Sequence, residues 1–125
     1  MNEVFTKSFN HLKIHTQYSI CEGALRTADL AKYCKSQKIK AVGLCDSNNL
    51  CGALEFSESI AKSKTQPIIG SQINIKYKSE IGKIPLIAKN LQGYKNLIKL
   101  SSKSFLESKD GEEPHCTFDD IEKYH

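Results

Sequence analysis

Arginine is almost absent from this chain. Of its 18 basic residues only Arg26 carries a guanidinium, so the fork-shaped donors that suit phosphate are nearly missing. The lysines are scattered along the sequence, and a solvated surface accounts for them better than a nucleic-acid groove, which gathers its basic residues. Long apolar runs are missing as well. No stretch approaches the roughly 20 residues of a membrane span, and none has the apolar centre of a secretory signal. Cys21, Cys34, Cys45, Cys51 and Cys116 form no CxxC pair and no finger-like spacing. Reduced, mostly buried thiols and a cytoplasmic location are the expectation. No internal repeat or low-complexity segment interrupts the chain.

What remains is an ordinary globular composition, 39% hydrophobic and 26% charged over 125 residues. A domain of that length buries roughly two thirds of its unfolded surface. The net charge of +4 makes the chain mildly basic.

Periodicity alternates between strand and helix. "HLKIHT" (His11 to Thr16) alternates with a period of two, and the continuous apolar run Ala41–Cys45 suits a strand covered on both faces. Strands are predicted near residues 9–16, 41–46, 67–77 and 84–89, and Gly70 marks a bend or close approach. Helices are predicted near 27–37 (with Thr27 as its cap), 48–64, 92–107 and 118–124, the last capped by Thr117. "EIGK" (Glu80 to Lys83) reads as a turn and "SKDGEEPH" (Ser108 to His115) as a polar loop. The alternation implies an α/β fold round a mostly parallel sheet.

Such folds collect their reactive groups at the carboxyl ends of the strands. Those ends carry Lys13, His15 and Glu22 after the first strand, Asp46 and Ser47 after the second, and Gln72 within the third. His15, Glu22 and Asp46 are acceptable ligands for zinc, manganese or iron. The competing reading makes His15 a structural hydrogen-bonding residue. His11 precedes the motif and is either an outer partner or simply packed. His115, in an acidic loop, is expected to be solvated, and His125 joins a site only by folding back.

Four blocks carry a resemblance: "FNHLKIHTQYSICEGALRTADL", "AVGLCDSNNLCGALEF", "QPIIGSQINI" and "LIAKNLQGYKNLIKLSSKSF". In order and with few gaps, they resemble the opening of the bacterial replicative DNA polymerase III alpha subunit. The similar part is its N-terminal polymerase-and-histidinol-phosphatase (PHP) domain. The resemblance implies the first part of a PHP-type distorted β/α barrel, TIM-like, with residues 1–125 ending inside the domain. Active members present His-x-His where this chain has Lys13-Ile14-His15. Glu22 and Asp46 keep the family's acids. Ser47, Gln72 and Lys83 stand where the family has His, Glu and His. Lys13, Ser47, Gln72 and Lys83 are thus lost ligand positions, while His15, Glu22 and Asp46 are vestigial ones. An ammonium about 4 Å from a unit charge costs roughly 4 kcal/mol at an effective dielectric near 20, and about twice that against a divalent ion. Lys13 is therefore expected to sit in the cavity and pair with Glu22 or Asp46, with no metal bound.

Two functions follow. The first is a non-catalytic structural and docking segment of the polymerase. Its parent chain would synthesise DNA with magnesium in a palm domain absent here. Its partners would be the proofreading exonuclease subunit, other replicase subunits and, through the parent chain, DNA. The alternative is a stand-alone metal-dependent PHP phosphoesterase, which stoichiometric zinc or manganese would reveal. A small nucleic-acid-binding module is the third and plainest possibility, disfavoured by the lone arginine.

An incompletely closed sheet exposes unpaired strand groups and an apolar face. Nine residues, "TFDDIEKYH", shield only part of such a face. The chain is expected to self-associate as a dimer or larger and to be less stable than a closed domain. Sedimentation at low micromolar concentration checks this, and a monomer with a high melting temperature would contradict it.

Overall fold

The computed structural model describes residues 9–125. The elements are α1 (Thr27–Ser36), β1 (Ala41–Ser47), α2 (Ala53–Lys62), β2 (Gln66–Tyr77), β3 (Glu80–Ile87), α3 (Leu91–Glu107) and α4 (Phe118–Lys123). The predicted elements recur with shifted ends, except at the first strand and at the hairpin.

The strands form one sheet in the order β1-β2-β3. β1 and β2 are parallel, with Ala41 opposite Gln66 and Ser47 opposite Gln72. β2 and β3 are antiparallel, from Gly70 opposite Ile87 to Tyr77 opposite Glu80. The expectation of a mostly parallel sheet is therefore corrected to a mixed one. The cause is a two-residue turn at Lys78-Ser79, where Lys78 takes the left-handed conformation at φ 54°. Two residues suffice for a hairpin, whereas a parallel return needs a crossover of a dozen or more. Glu80–Lys83, expected as the turn, instead form the first half of β3.

The expected strand at 9–16 is reduced to a single bridge, Ile14 beside Leu44. The chain still runs alongside β1. Gly43 N–H donates to His11 O (2.7 Å), Ile14 N–H to Gly43 O (3.0 Å) and Cys45 N–H to Ile14 O (2.8 Å). Pairing stops at Thr16 because its N–H is spent on the Asp46 carboxylate instead.

Thr27 lies inside α1 rather than capping it. Arg26 holds the cap position without a side-chain bond, and the buried Thr27 hydroxyl has no partner. α2 begins later than predicted, since Asn48 adopts φ 56° and turns the chain first. α3 is capped by Asn90, which accepts from Gly93 N–H. α4 has the expected Thr117 cap, closed reciprocally by Asp120.

Because Leu44 lies opposite Ile69, alternation puts Val42, Leu44, Ile73 and Ile75 on one face of the sheet, where two apolar clusters lie side by side. Val42 and Leu44 pack with Leu30, Cys34, Phe56 and Ile60 from α1 and α2. Ile73 and Ile75 pack with Leu100 of α3 and with Cys116. Gln72 and Asn74, out of phase with those isoleucines, belong to the opposite face. Cys34, Cys45 and Cys116 are buried and Cys21 and Cys51 exposed, all five free, as expected of reduced thiols.

Gly43 is where the sheet meets the incoming chain. A Cβ there would lie 2.7 Å from Leu12 Cα and 2.8 Å from Leu12 O. Backbone cannot swing aside as a side chain can, so Gly43→Ala is expected to lose about 1–3 kcal/mol in urea denaturation. Amide exchange at Ile14 and Cys45 should quicken with it. Phe56→Ala, emptying a fully buried position in α2, should lose about 3–5 kcal/mol.

Candidate functional site at the strand ends

At the carboxyl end of β1 the chain places a carboxylate with no solvent contact. Asp46 is 0% exposed, and three donors meet it. Thr16 N–H (2.6 Å) and the Ser19 hydroxyl (2.6 Å) bond to Oδ1, and the Thr16 hydroxyl (2.7 Å) bonds to Oδ2. Hydrogen bonds to a charged acceptor contribute about 1.5–3 kcal/mol each. Together they bind the loop 16–19 to the end of β1.

The same loop is closed by Gly23, where an added Cβ would stand 2.0 Å from Thr16 O. Only glycine permits that approach. The closure carries Glu22 to the mouth of the site.

Ser19 has one hydroxyl proton, given to Asp46. Its oxygen accepts from Ser47 N–H at 3.1 Å and lies 3.2 Å from His15 Nδ1. His15 therefore carries its hydrogen on Nδ1. That nitrogen is also 3.9 Å from Glu22 Oε2.

Glu22 ends a directed chain of hydrogen bonds. Gln72 Nε2 donates to Ser47 Oγ (3.5 Å), and Ser47 Oγ–H donates to Glu22 Oε2 (2.5 Å). Lys83 Nζ donates to the other oxygen, Oε1, at 3.2 Å. The Ser47 hydroxyl and then the Lys83 ammonium hold the Glu22 carboxyl below its usual value of 4.5, against a smaller opposing effect of burial. Gln72 is nearly buried, and its Oε1 has no partner. An open cavity of about 330 Å³ adjoins these groups, with Asn48, Asn74, Phe105 and Pro114 on its walls.

Six of the seven positions singled out in the sequence thus converge: His15, Glu22, Asp46, Ser47, Gln72 and Lys83. Lys13 does not. Its side chain is exposed, and the groups beside Glu22 are the Lys83 ammonium and the His15 imidazole. The expected Lys13 pairing is corrected to Lys83, which the antiparallel hairpin swings over Glu22 by setting it opposite Asn74.

His115 is not solvated as expected. Its side chain is 11% exposed, lies 2.8 Å from Glu113 O and donates its backbone N–H to Ser108 Oγ. His11 is exposed and meets Phe9 edge-on. His125 lies against Glu122 O of its own helix end. Thr16 and Ser19 escaped the sequence reading. The signal was a Thr-x-x-Ser pair ahead of a glycine, which only the fold turns toward Asp46. Among the described residues no three His, Cys, Asp or Glu side chains come together as a ligand set.

An α/β sheet with acids and amides gathered past the ends of its parallel strands defines a class of site rather than one protein. The PHP domain family matches residues 11–125, so the chain belongs to that family. Over 117 residues it is 41% identical to the DNA polymerase III subunit alpha of Rickettsia conorii, covering 93% of this chain and 10% of that protein. The Borreliella burgdorferi counterpart is 36% identical, covering 96% of this chain and 11% of its own length. That of Helicobacter pylori is 38% identical, covering 81% and 9%. The chain spans about one tenth of the length of the curated relatives it matches. A solved structure of a proposed metal-dependent phosphoesterase from Bifidobacterium adolescentis superposes with a TM-score of 0.61 at 13% identity, over 76% of this chain and 32% of that one. That likeness speaks for the fold.

Because Glu22 titrates lower in the folded chain than in the unfolded one, its contribution to stability is present above about pH 4.5 and lost as pH falls through the depressed folded value. Glu112, held low by Lys76, behaves the same way. Glu22→Gln should therefore flatten part of the acid-side fall in stability while leaving its neutral-pH slope unchanged. Urea midpoints measured from pH 3 to pH 7 (about one unit apart) check it.

Proposed function

We propose that this chain is the PHP segment of a bacterial replicative DNA polymerase III alpha subunit. In this reading it is a non-catalytic structural and partner-docking part whose metal site is vestigial. The observation that carries the reading is the Lys83 ammonium on Glu22, where a cation-binding centre would need a free carboxylate. The other groups agree. Both Asp46 oxygens are occupied by Thr16 and Ser19, and Ser47 and Gln72 are neutral. A divalent ion wants several anionic or neutral lone pairs round an open position. This donor set does not fit one.

The parent chain would carry the DNA-directed DNA polymerase activity and its magnesium. The sheet would be the first part of a distorted β/α barrel, a reading supported by the phosphoesterase superposition. The proofreading exonuclease subunit and other replicase subunits would be the partners, in the cytoplasm. Among the described residues no helix is long and apolar enough to cross a membrane. The stand-alone phosphoesterase reading draws only on that fold likeness and, among the described residues, lacks a ligand set.

Titration calorimetry with zinc and manganese tests the proposal. The chain should bind neither stoichiometrically. The quadruple variant Lys13→His, Ser47→His, Gln72→Glu, Lys83→His should bind at least about 100-fold more tightly, since even outer partners of a metal site are worth 10–100-fold. Stoichiometric metal in the unaltered chain, with chelator-sensitive hydrolysis of phosphate esters, would overturn the vestigial reading. Co-sedimentation with a purified exonuclease subunit tests docking separately.

A further inference from the structure

Two short stretches of sequence bring five lysines to the end of the sheet opposite Glu22. Lys35 lies in the last turn of α1, Lys38 and Lys40 lead into β1, Lys62 ends α2 and Lys64 leads into β2. With Ile39 and Ser63 they line one cavity of about 470 Å³. β1 separates this cavity from the Asp46 end by its seven residues, about 20 Å of strand. The lysines scattered in the sequence are therefore clustered in space.

The fold fixes the cluster. Gln66 N–H donates to Lys40 O (2.8 Å) and the Thr65 hydroxyl to Ile39 O (2.8 Å), tying one helix-to-strand loop to the other. Lys38 and Lys64 both take left-handed conformations, φ 52° and 61°, as each helix ends.

Five ammonium groups border this one cavity, in a chain whose net charge is +4. Among the described residues the lysines in ion pairs are Lys32, Lys76, Lys83 and Lys103, so none of the five has a carboxylate partner. Two helix carboxyl ends face the cluster, worth about half a negative charge each. They offset about one of five charges.

We propose that this surface binds the sugar–phosphate backbone of duplex DNA without reading its sequence. Lysine supplies point charges for phosphates and lacks the bidentate fork that reads guanine. No aromatic side chain lines the cavity, so the stacking that holds single strands is missing. The choice of DNA over another polyanion rests on the replicase reading above.

The test is fluorescence anisotropy with a short duplex across a salt series. Five lysines predict a slope of log Kobs on log salt of about −3 to −4.5. Lys35→Gln/Lys40→Gln/Lys62→Gln should reduce its magnitude by about 2.7, with an unchanged melting temperature. Lys89→Gln/Lys95→Gln/Lys109→Gln, an equal charge loss elsewhere, should leave it nearly unaltered. Equal losses in both variants, or no binding at low salt, would overturn the inference. So would a polyglutamate of matched charge that binds more tightly than the duplex, since it would assign the surface to an acidic protein segment. Exonuclease docking that persists without DNA binding would sink this inference alone and leave the replicase reading standing.

Discussion

The Asp46 carboxylate is the constraint on which the rest of the site depends. A buried anion left unpaired would cost several kcal/mol, and among the described residues no cation pairs with it. Its charge is met instead by Thr16 and Ser19, which forces the loop between Ile14 and Gly23 into a single path. That path ends the pairing with β1, orients His15 through Ser19, and delivers Glu22 to Ser47 and Lys83. Removing the carboxylate would loosen residues from three separate segments at once.

A hydrogen-bonded chain and a metal centre make different demands on the same positions. A metal needs lone pairs pointing inward. The chain from Gln72 through Ser47 to Glu22 needs donors and acceptors to alternate, and a hydroxyl at Ser47 does both. The side chains read as lost ligands are thus coherent as a set. Ser47 relays, Gln72 donates, and Lys83 completes the carboxylate. Only the Gln72 carbonyl oxygen is left over.

Much of this was legible in the sequence, for identifiable reasons. The apolar run at Ala41–Cys45 and the alternation through Ile73 and Ile75 follow from the periods of strands, and the Thr117 cap from its neighbour Asp120. Six of the seven positions aligned through the family blocks come together at one end of the sheet. The hairpin was not legible, because "EIGK" has turn-like residues while the turn itself lies just ahead of it on Lys78-Ser79. That shift decided which lysine reaches Glu22. Nor was the clustering of Lys35, Lys38, Lys40, Lys62 and Lys64 visible, since it depends on two parallel strands starting side by side.

Lys83 as the cation at Glu22 has a further consequence. Binding an external ion couples folding to that ion's concentration, so such a centre is filled by mass action. An ammonium carried on β3 is supplied once per chain during synthesis, and it sits at a fixed high local concentration. In the vestigial reading proposed above, the assembly of this site would be independent of metal scarcity, chelation or exchange for a wrong ion. Its occupancy is written into the translated sequence.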